Sequence, residues 1–270
     1  MWGVYGATLD DPNQWQAGGM CGRYAAAKDP AALVEEFEVE DAPTEELRPD
    51  YNVAPTKKVY LVVDKTRDEH LERALVIGRW GLVPSWAKDP SIGSRMINAR
   101  AETVAEKPAF RRAFAKRRCL LPADGFYEWY LPTSPDAPVG KSGKPLKQPF
   151  FIHPADGSSL AMAGLYEWWR DPSRADDDPA AWLLSCTIIT TEATDEVGRI
   201  HDRMPMTISR DHWAAWLDPG NGPDEASALL VPALESELTA YPVSTLVNSV
   251  KNNGPELLDP IEAEGTDTLL

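Results

Sequence analysis

Cysteine and histidine are scarce in this chain of 270 residues, with three of the first and four of the second. The cysteines, Cys21, Cys119 and Cys186, are odd in number and widely spaced, which excludes a disulfide framework. No CxxC pair occurs, and no histidine stands at zinc-ligand spacing from a cysteine, so no structural metal or other cofactor is expected. Reduced thiols fit an intracellular compartment. Long apolar runs are missing too, which argues against a membrane span. The N-terminus has neither a basic region nor an apolar segment of the kind that a secretory signal needs. No internal repeat appears. Positive charge is also short: the net charge of −15 speaks against nucleic-acid binding by the surface as a whole.

The basic residues present are concentrated. Between 95 and 118 stand Arg95, Arg100, Lys107, Arg111, Arg112, Lys116, Arg117 and Arg118, against only Glu102 and Glu106. From Asp224 onward the chain has nine acids and the single base Lys251. Such a patch is either the solvated face of a helix or the seat of a confined anionic ligand. Residues 1–19 are polar with scattered aromatics and no period, and read as a disordered extension or a misplaced start. Asp29-Pro30 opens a helix, with Asp as N-cap and Leu33, Val34 and Phe37 on its apolar side. "YNVAPT" (51–56) reads as a loop, and "KVYLVV" (58–63) and "LVIGRW" (75–80) as strands. "PAFRRAFAKRR" (108–118) reads as a short basic helix, and "CLLPADGFYEWY" (119–130) as strand, turn and strand. A flexible loop is expected over 131–148, strands over 149–153, 159–167 and 182–190, a helix capped by Ser209, and a loose acidic end from about Glu256. Many strands with a few short helices predict one α+β domain rather than a doubly wound sheet.

Four short segments combine polar chemistry with rigid composition: "WGLVPSWAKD" (80–89), "INARAET" (97–103), "ADGFYEW" (123–129) and "RIHDRMP" (199–205). Each has a plain alternative. Glu128 on a strand can face solvent. His201 between charged neighbours is commonly a surface residue. Trp80 and Trp86 are more often core than stacking platforms. Cys119 and Cys186 lie in apolar runs and read as buried residues. Cys21 does not, because glycines and Arg23 surround it.

Taken in order, Met20-Cys21-Gly22-Arg23, "YNVAPT", "WGLVPSWAKD", "NARAET", "CLLPADGFYEW", "HDRMP" and "VNSVKNNGPEL" (247–257) resemble the SOS response-associated peptidase (SRAP) family, the abasic-site-shielding proteins. The resemblance covers residues 20 to 257 and leaves 258–270 as a loose acidic tail. It implies a single SRAP domain with a mixed, largely antiparallel, barrel-like sheet core flanked by short helices. It implies binding to single-stranded DNA at abasic sites and a covalent thiazolidine crosslink through an N-terminal cysteine, here Cys21. An α-amine condenses with the aldehyde of the opened sugar, and the neighbouring thiol then adds to the imine. Asn98 would hold Cys21 and the sugar, Glu128 would pass protons, and His201 would act as general acid and base. Arg23 and Arg100 would grip phosphates, with Thr190 as a further phosphate contact, and Pro55 and Trp86 would offer apolar surface to bases. Weak abasic-site lyase activity and autopeptidase activity are implied as well. So are a monomer, the replication machinery as a further partner, and a cytoplasmic, nucleoid-associated location.

An internal cysteine cannot close this ring, because its nitrogen is an amide. With Met1 as the start, three routes stay open: translation from Met20 with removal of that methionine, autocatalytic cleavage before Cys21, or an extension that persists and leaves only noncovalent binding. The first is favoured by the featureless composition of residues 1–19. Two other functions remain as alternatives: a cysteine peptidase or amidohydrolase acting on proteins through Cys21, Glu128 and His201, and a noncovalent single-stranded DNA-binding module. The basic 95–118 segment favours the DNA readings.

Overall fold

The computed structural model describes residues 21–68, 70–133, 138–140, 143–232 and 238–262. The expected extension before Cys21, the end of the expected acidic tail and the middle of the expected loop over 131–148 lie outside these residues. A closed barrel of five strands forms the centre. β3 (Lys58–Arg67) and β4 (His70–Trp80) make a long hairpin, paired from Lys58–Arg79 to Arg67–His70. β6 (Arg118–Ala123) pairs with β3 and with β9 (Leu160–Arg170), and β9 pairs with β10 (Trp182–Glu192). The parallel pair of β10 with β4 closes the ring, and the other pairs in it are antiparallel.

The strand sequences follow from burial on both faces. Leu61, Trp80, Cys119, Leu121, Met162, Cys186 and Ile188 fill the inside. Val62, Leu75, Leu120, Leu165 and Ile189 point outward into a second apolar layer. That layer is covered by α1 (Pro30–Glu36), α2 (Arg111–Lys116) and α4 (Trp213–Leu217), through Leu33, Phe114 and Trp216. Strands buried on both sides read as continuous apolar runs instead of alternating ones.

A second sheet lies against the barrel, in the order β12 (Leu238–Pro242), β8 (Gln148–Pro154), β7 (Gly125–Tyr130), β1 (Tyr24–Ala26) and β2 (Asp50–Val53). Its Tyr24, Phe126 and Ile152 join the barrel core. On its other face Ala25, Tyr127 and Phe151 pack against Val243, Val247 and Leu257. β5 (Asn98–Arg100) runs parallel to β10, and β11 (Arg203–Pro205) antiparallel to it. α3 (Asp195–Ile200) joins β10 to β11, and α5 (Pro223–Ala228) follows α4.

Several expectations hold. Asp29 caps α1 by accepting the Ala31 N–H at 2.8 Å. The basic helix and the strands fall where the sequence places them. Others need correction. Half of "YNVAPT" is strand β2, because Asn52 is fully buried and bonds inward. The turn in "CLLPADGFYEWY" shrinks to Asp124 alone, and the strands on either side belong to different sheets. Ser209 occupies the cap position, but its hydroxyl bonds to His212 Nδ1 at 2.9 Å and not to the backbone. Residues 257–261 pack onto the fold: Leu257 is buried, and the Ile261 N–H donates to Pro242 O at 3.0 Å.

The basic cluster divides in two. Arg118 is buried and donates to five carbonyls: Phe114 and Ala115 at the end of α2, Trp216 and Asp218 at the end of α4, and Asn221. Arg117 pairs with Glu167 at 2.6 Å, and Lys116 donates to Pro219 O. Arg95, Arg100, Lys107, Arg111 and Arg112 are exposed.

Candidate functional site around Cys21

On β7 the side chains alternate, so Phe126 and Glu128 share the face that lies on the barrel core. Glu128 is therefore buried and does not face solvent. Its Oε1 accepts the main-chain N–H of Cys21 at 2.8 Å. Burial pushes its carboxyl up to about 8, and the charge of Asp202 adds to the rise. The N–H groups of Cys21 and Trp129 and the charge of Lys147 offset part of it. At neutral pH this group is mostly a neutral acid, able to give a proton and to take one back.

Cys21 is fully buried, contrary to the expectation from its glycine-rich surroundings. It belongs to the main core together with Tyr24, Trp80 and Phe126. Burial first, and Glu128 second, hold its thiol well above the ordinary range. Its backbone has φ +31, a conformation that L-residues rarely adopt. Asn98, the first residue of β5, donates from Nδ2 to the Cys21 carbonyl at 3.3 Å. The parallel pairing of β5 with β10 puts Asn98 opposite Ile188, whose side chain is in the same core.

His201 ends α3, where its N–H donates to Val197 O at 2.9 Å. Val197 and Ile200 of that helix pack in the core that holds Cys21. The ring Nδ1 accepts the Arg203 N–H at 3.2 Å and lies 3.0 Å from the Asp202 carboxylate. These contacts call for opposite protonation states. Asp202 is 86% exposed, so its attraction is screened by water. The main-chain donor is fixed by the fold, which favours the tautomer that leaves Nδ1 as an acceptor.

The residues expected to meet DNA separate by depth. Trp86 is 57% exposed, and Arg100 is exposed beside Asn98 on β5. Pro55 and Thr190 are buried. Arg23 is buried as well. It donates to Asn52 Oδ1 at 2.8 Å and to Val247 O at 2.9 Å, and stands over the Trp129 ring. Burial lowers its guanidinium to about 10, where it is still charged at neutral pH.

Sequence reading passed over the residues that tie these segments together. Asn52 donates from Nδ2 to the carbonyls of Val247, Ser249 and Asn252, fastening "VNSVKNN" beneath β1 and β2. Trp129 Nε1 donates to Asn248 Oδ1 at 2.7 Å. Arg203 forms a bidentate pair with Glu102 at 2.6 and 3.1 Å, and so binds "HDRMP" to "NARAET". An acid and a base 101 residues apart give no local signal. Among the described residues no group of three His, Cys, Asp or Glu side chains could hold a metal, and no helix is long and apolar enough to cross a membrane.

A closed mixed barrel, a buried carboxyl against a cysteine nitrogen and an amide on its carbonyl define a compact site assembled from distant motifs. The chain belongs to the SOS response associated peptidase (SRAP) family, whose model matches residues 20–250. It is 42% identical over 242 residues to the abasic site processing protein YoaM of Bacillus subtilis, covering 89% of this chain and 98% of YoaM. To the abasic site processing protein YedK of Escherichia coli it is 35% identical over 250 residues, covering 90% and 100%. To HMCES of Gallus gallus, which bears the same description, it is 35% identical over 243 residues, covering 80% and 67%. A solved protein from Bacteroides thetaiotaomicron has the same fold, with a TM-score of 0.74 at 24% identity, covering 90% of this chain and all of that one.

Proposed function

We propose that the protein processes abasic sites in single-stranded DNA by forming a thiazolidine crosslink through Cys21. The observation that carries this reading is the 2.8 Å bond between the Cys21 nitrogen and the buried Glu128 carboxyl. In a form that begins at Cys21, that nitrogen is an amine. The amine attacks the aldehyde of the opened sugar, and water leaves as the imine forms. The thiol sulfur then adds to the imine carbon, and the thiol proton passes to the ring nitrogen. Glu128 is placed to donate and accept these protons. Asn98 holds the Cys21 carbonyl still, and His201 Nε2–H is the donor suited to opening the sugar. The same imine permits β-elimination, the source of weak lyase activity.

Exposing the amine needs autocatalytic cleavage of the longer chain before Cys21, or translation from Met20 followed by removal of that methionine. The family match that begins at residue 20 supports the second route, and autopeptidase activity would supply the first.

Incubation of protein starting at Cys21 with abasic single-stranded DNA is expected to give a band that survives denaturing electrophoresis. Cys21→Ala is expected to leave only the hydrolysable imine. Absence of the band, or equal bands for both proteins, would sink the reading. Protein starting at Met1 is expected to give no band unless it is first cut, which intact mass reports.

Arg100 is an exposed cation two residues from Asn98 on β5. Arg100→Ala is expected to weaken binding and to flatten the slope of log affinity against log salt by about 0.7. Adduct formation at saturating DNA should change little. A full-size salt slope in the variant would remove Arg100 from the phosphate contacts.

A further inference from the structure

Asp124 is the only residue between β6 and β7, and it grips both β1 and the residue that follows it. Its main-chain N–H donates to Ala25 O at 2.8 Å, and its carboxylate Oδ2 accepts the Ala27 N–H at 2.6 Å. We infer that Asp124 is a positioning residue that sets the register of β1 against β7 and so keeps Glu128 opposite the Cys21 nitrogen. The inference rests on the role proposed for Glu128 above.

β1 has three residues, with Tyr24 and Ala25 buried on opposite faces, and its pairing with β2 is irregular between Tyr24 and Ala26. β7 is fixed independently on its other edge, where it pairs with β8 from Phe126–Ile152 to Tyr130–Gln148. Gly125 allows that approach: a Cβ there would lie 2.6 Å from Ile152 O and 2.5 Å from Phe151 Cζ. With β7 locked to β8, the register of β1 is shared between β2 on its far edge and Asp124 at its end. A slip of one residue would move the Cys21 nitrogen by about 3.3 Å and turn the opposite face of β1 toward the core. The paired positions Tyr24–Phe126 and Ala25–Gly125 lie between the Asp124 grip and the site, and the Tyr127 N–H donates to Arg23 O at 3.0 Å.

The remaining charged groups around Asp124 do not replace the grip. Glu36 is engaged by the Ser159 N–H and hydroxyl, both at 2.7 Å, and by Lys28 at 3.1 Å. Lys28 draws the Asp124 carboxyl down while Glu36 raises it, and burial outweighs both.

The test uses the full chain with ¹³C-labelled glutamate, following the Glu128 carboxyl by NMR and assigning it with Glu128→Gln. The native protein and Asp124→Asn, which keeps an acceptor for Ala27, are expected to titrate alike, near 8. Asp124→Ala is expected to move that midpoint by about one unit or more, since the Cys21 N–H no longer meets Oε1. In protein starting at Cys21, Asp124→Ala should slow adduct formation at saturating DNA by about 10-fold or more, and Asp124→Asn should recover most of the rate. A native titration in Asp124→Ala, or equal displacement in both variants, overturns the inference. If Asp124→Ala fails to fold, Asp124→Asn decides, and a displaced midpoint in it overturns the inference. A native protein that titrates as expected yet forms no adduct defeats the crosslinking function and leaves the register role standing.

Discussion

Replacing Glu128 with glutamine is expected to stabilise the full-length protein in alkaline solution while disabling its chemistry. The carboxyl titrates from about 8 when folded, against a reference value of 4.5. Between those values the folded state binds more protons than the unfolded state, so stability is complete below the lower value and is lost as pH rises through the upper one. At pH 9 the ionised, buried carboxylate costs on the order of 4 kcal/mol, which Glu128→Gln removes. Thermal melts at pH 9 should rise by about 10 °C in the variant, and the two proteins should melt together near pH 5. Glutamine keeps an oxygen to accept the Cys21 N–H, so the geometry survives. Without a proton to move, adduct formation by the form starting at Cys21 should fall by about 10²–10⁴-fold. A melt with no pH-dependent gain would mean that Glu128 is ionised when folded.

Arg118→Ala is expected to be the most damaging single change in the scaffold. The guanidinium gathers five carbonyls, four of them at the ends of α2 and α4. These are the groups that a helix leaves without partners at its C-terminus, where a positive charge is also favoured. Removing the side chain strands several buried acceptors and opens a cavity, a loss of about 3–5 kcal/mol measurable by urea denaturation. Arg118→Lys should recover only part of it, since one ammonium cannot fork toward acceptors on two helices. A loss below about 1 kcal/mol would show that water satisfies these carbonyls instead.

The barrel strands were legible because each carries an apolar run, and α1 because Asp29 and Pro30 mark its start. The strand identity of Asp50–Val53 was hidden, since its burial comes from Asn52 bonding to carbonyls about 200 residues away. Cys21, Asn98, Glu128 and His201 stood out through motif resemblance, and the structure brings the first three into contact. The depth of Arg23 was not legible, because a guanidinium beside a turn looks the same whether it meets water or main-chain carbonyls. Within the basic cluster, Arg111 and Arg112 lie on the exposed side of α2 while Arg118 opens β6 and is buried, and composition does not reveal that.

Arg23 reaches across 224 positions to Val247, and Asn52 across 200 to Asn252. The consequence lies in the timing of synthesis. A nascent chain presents Arg23 at the ribosome exit 224 residues before the Val247 carbonyl that seats it. Arg23 cannot be seated until then, and a product truncated before Val247 retains Cys21 without that frame.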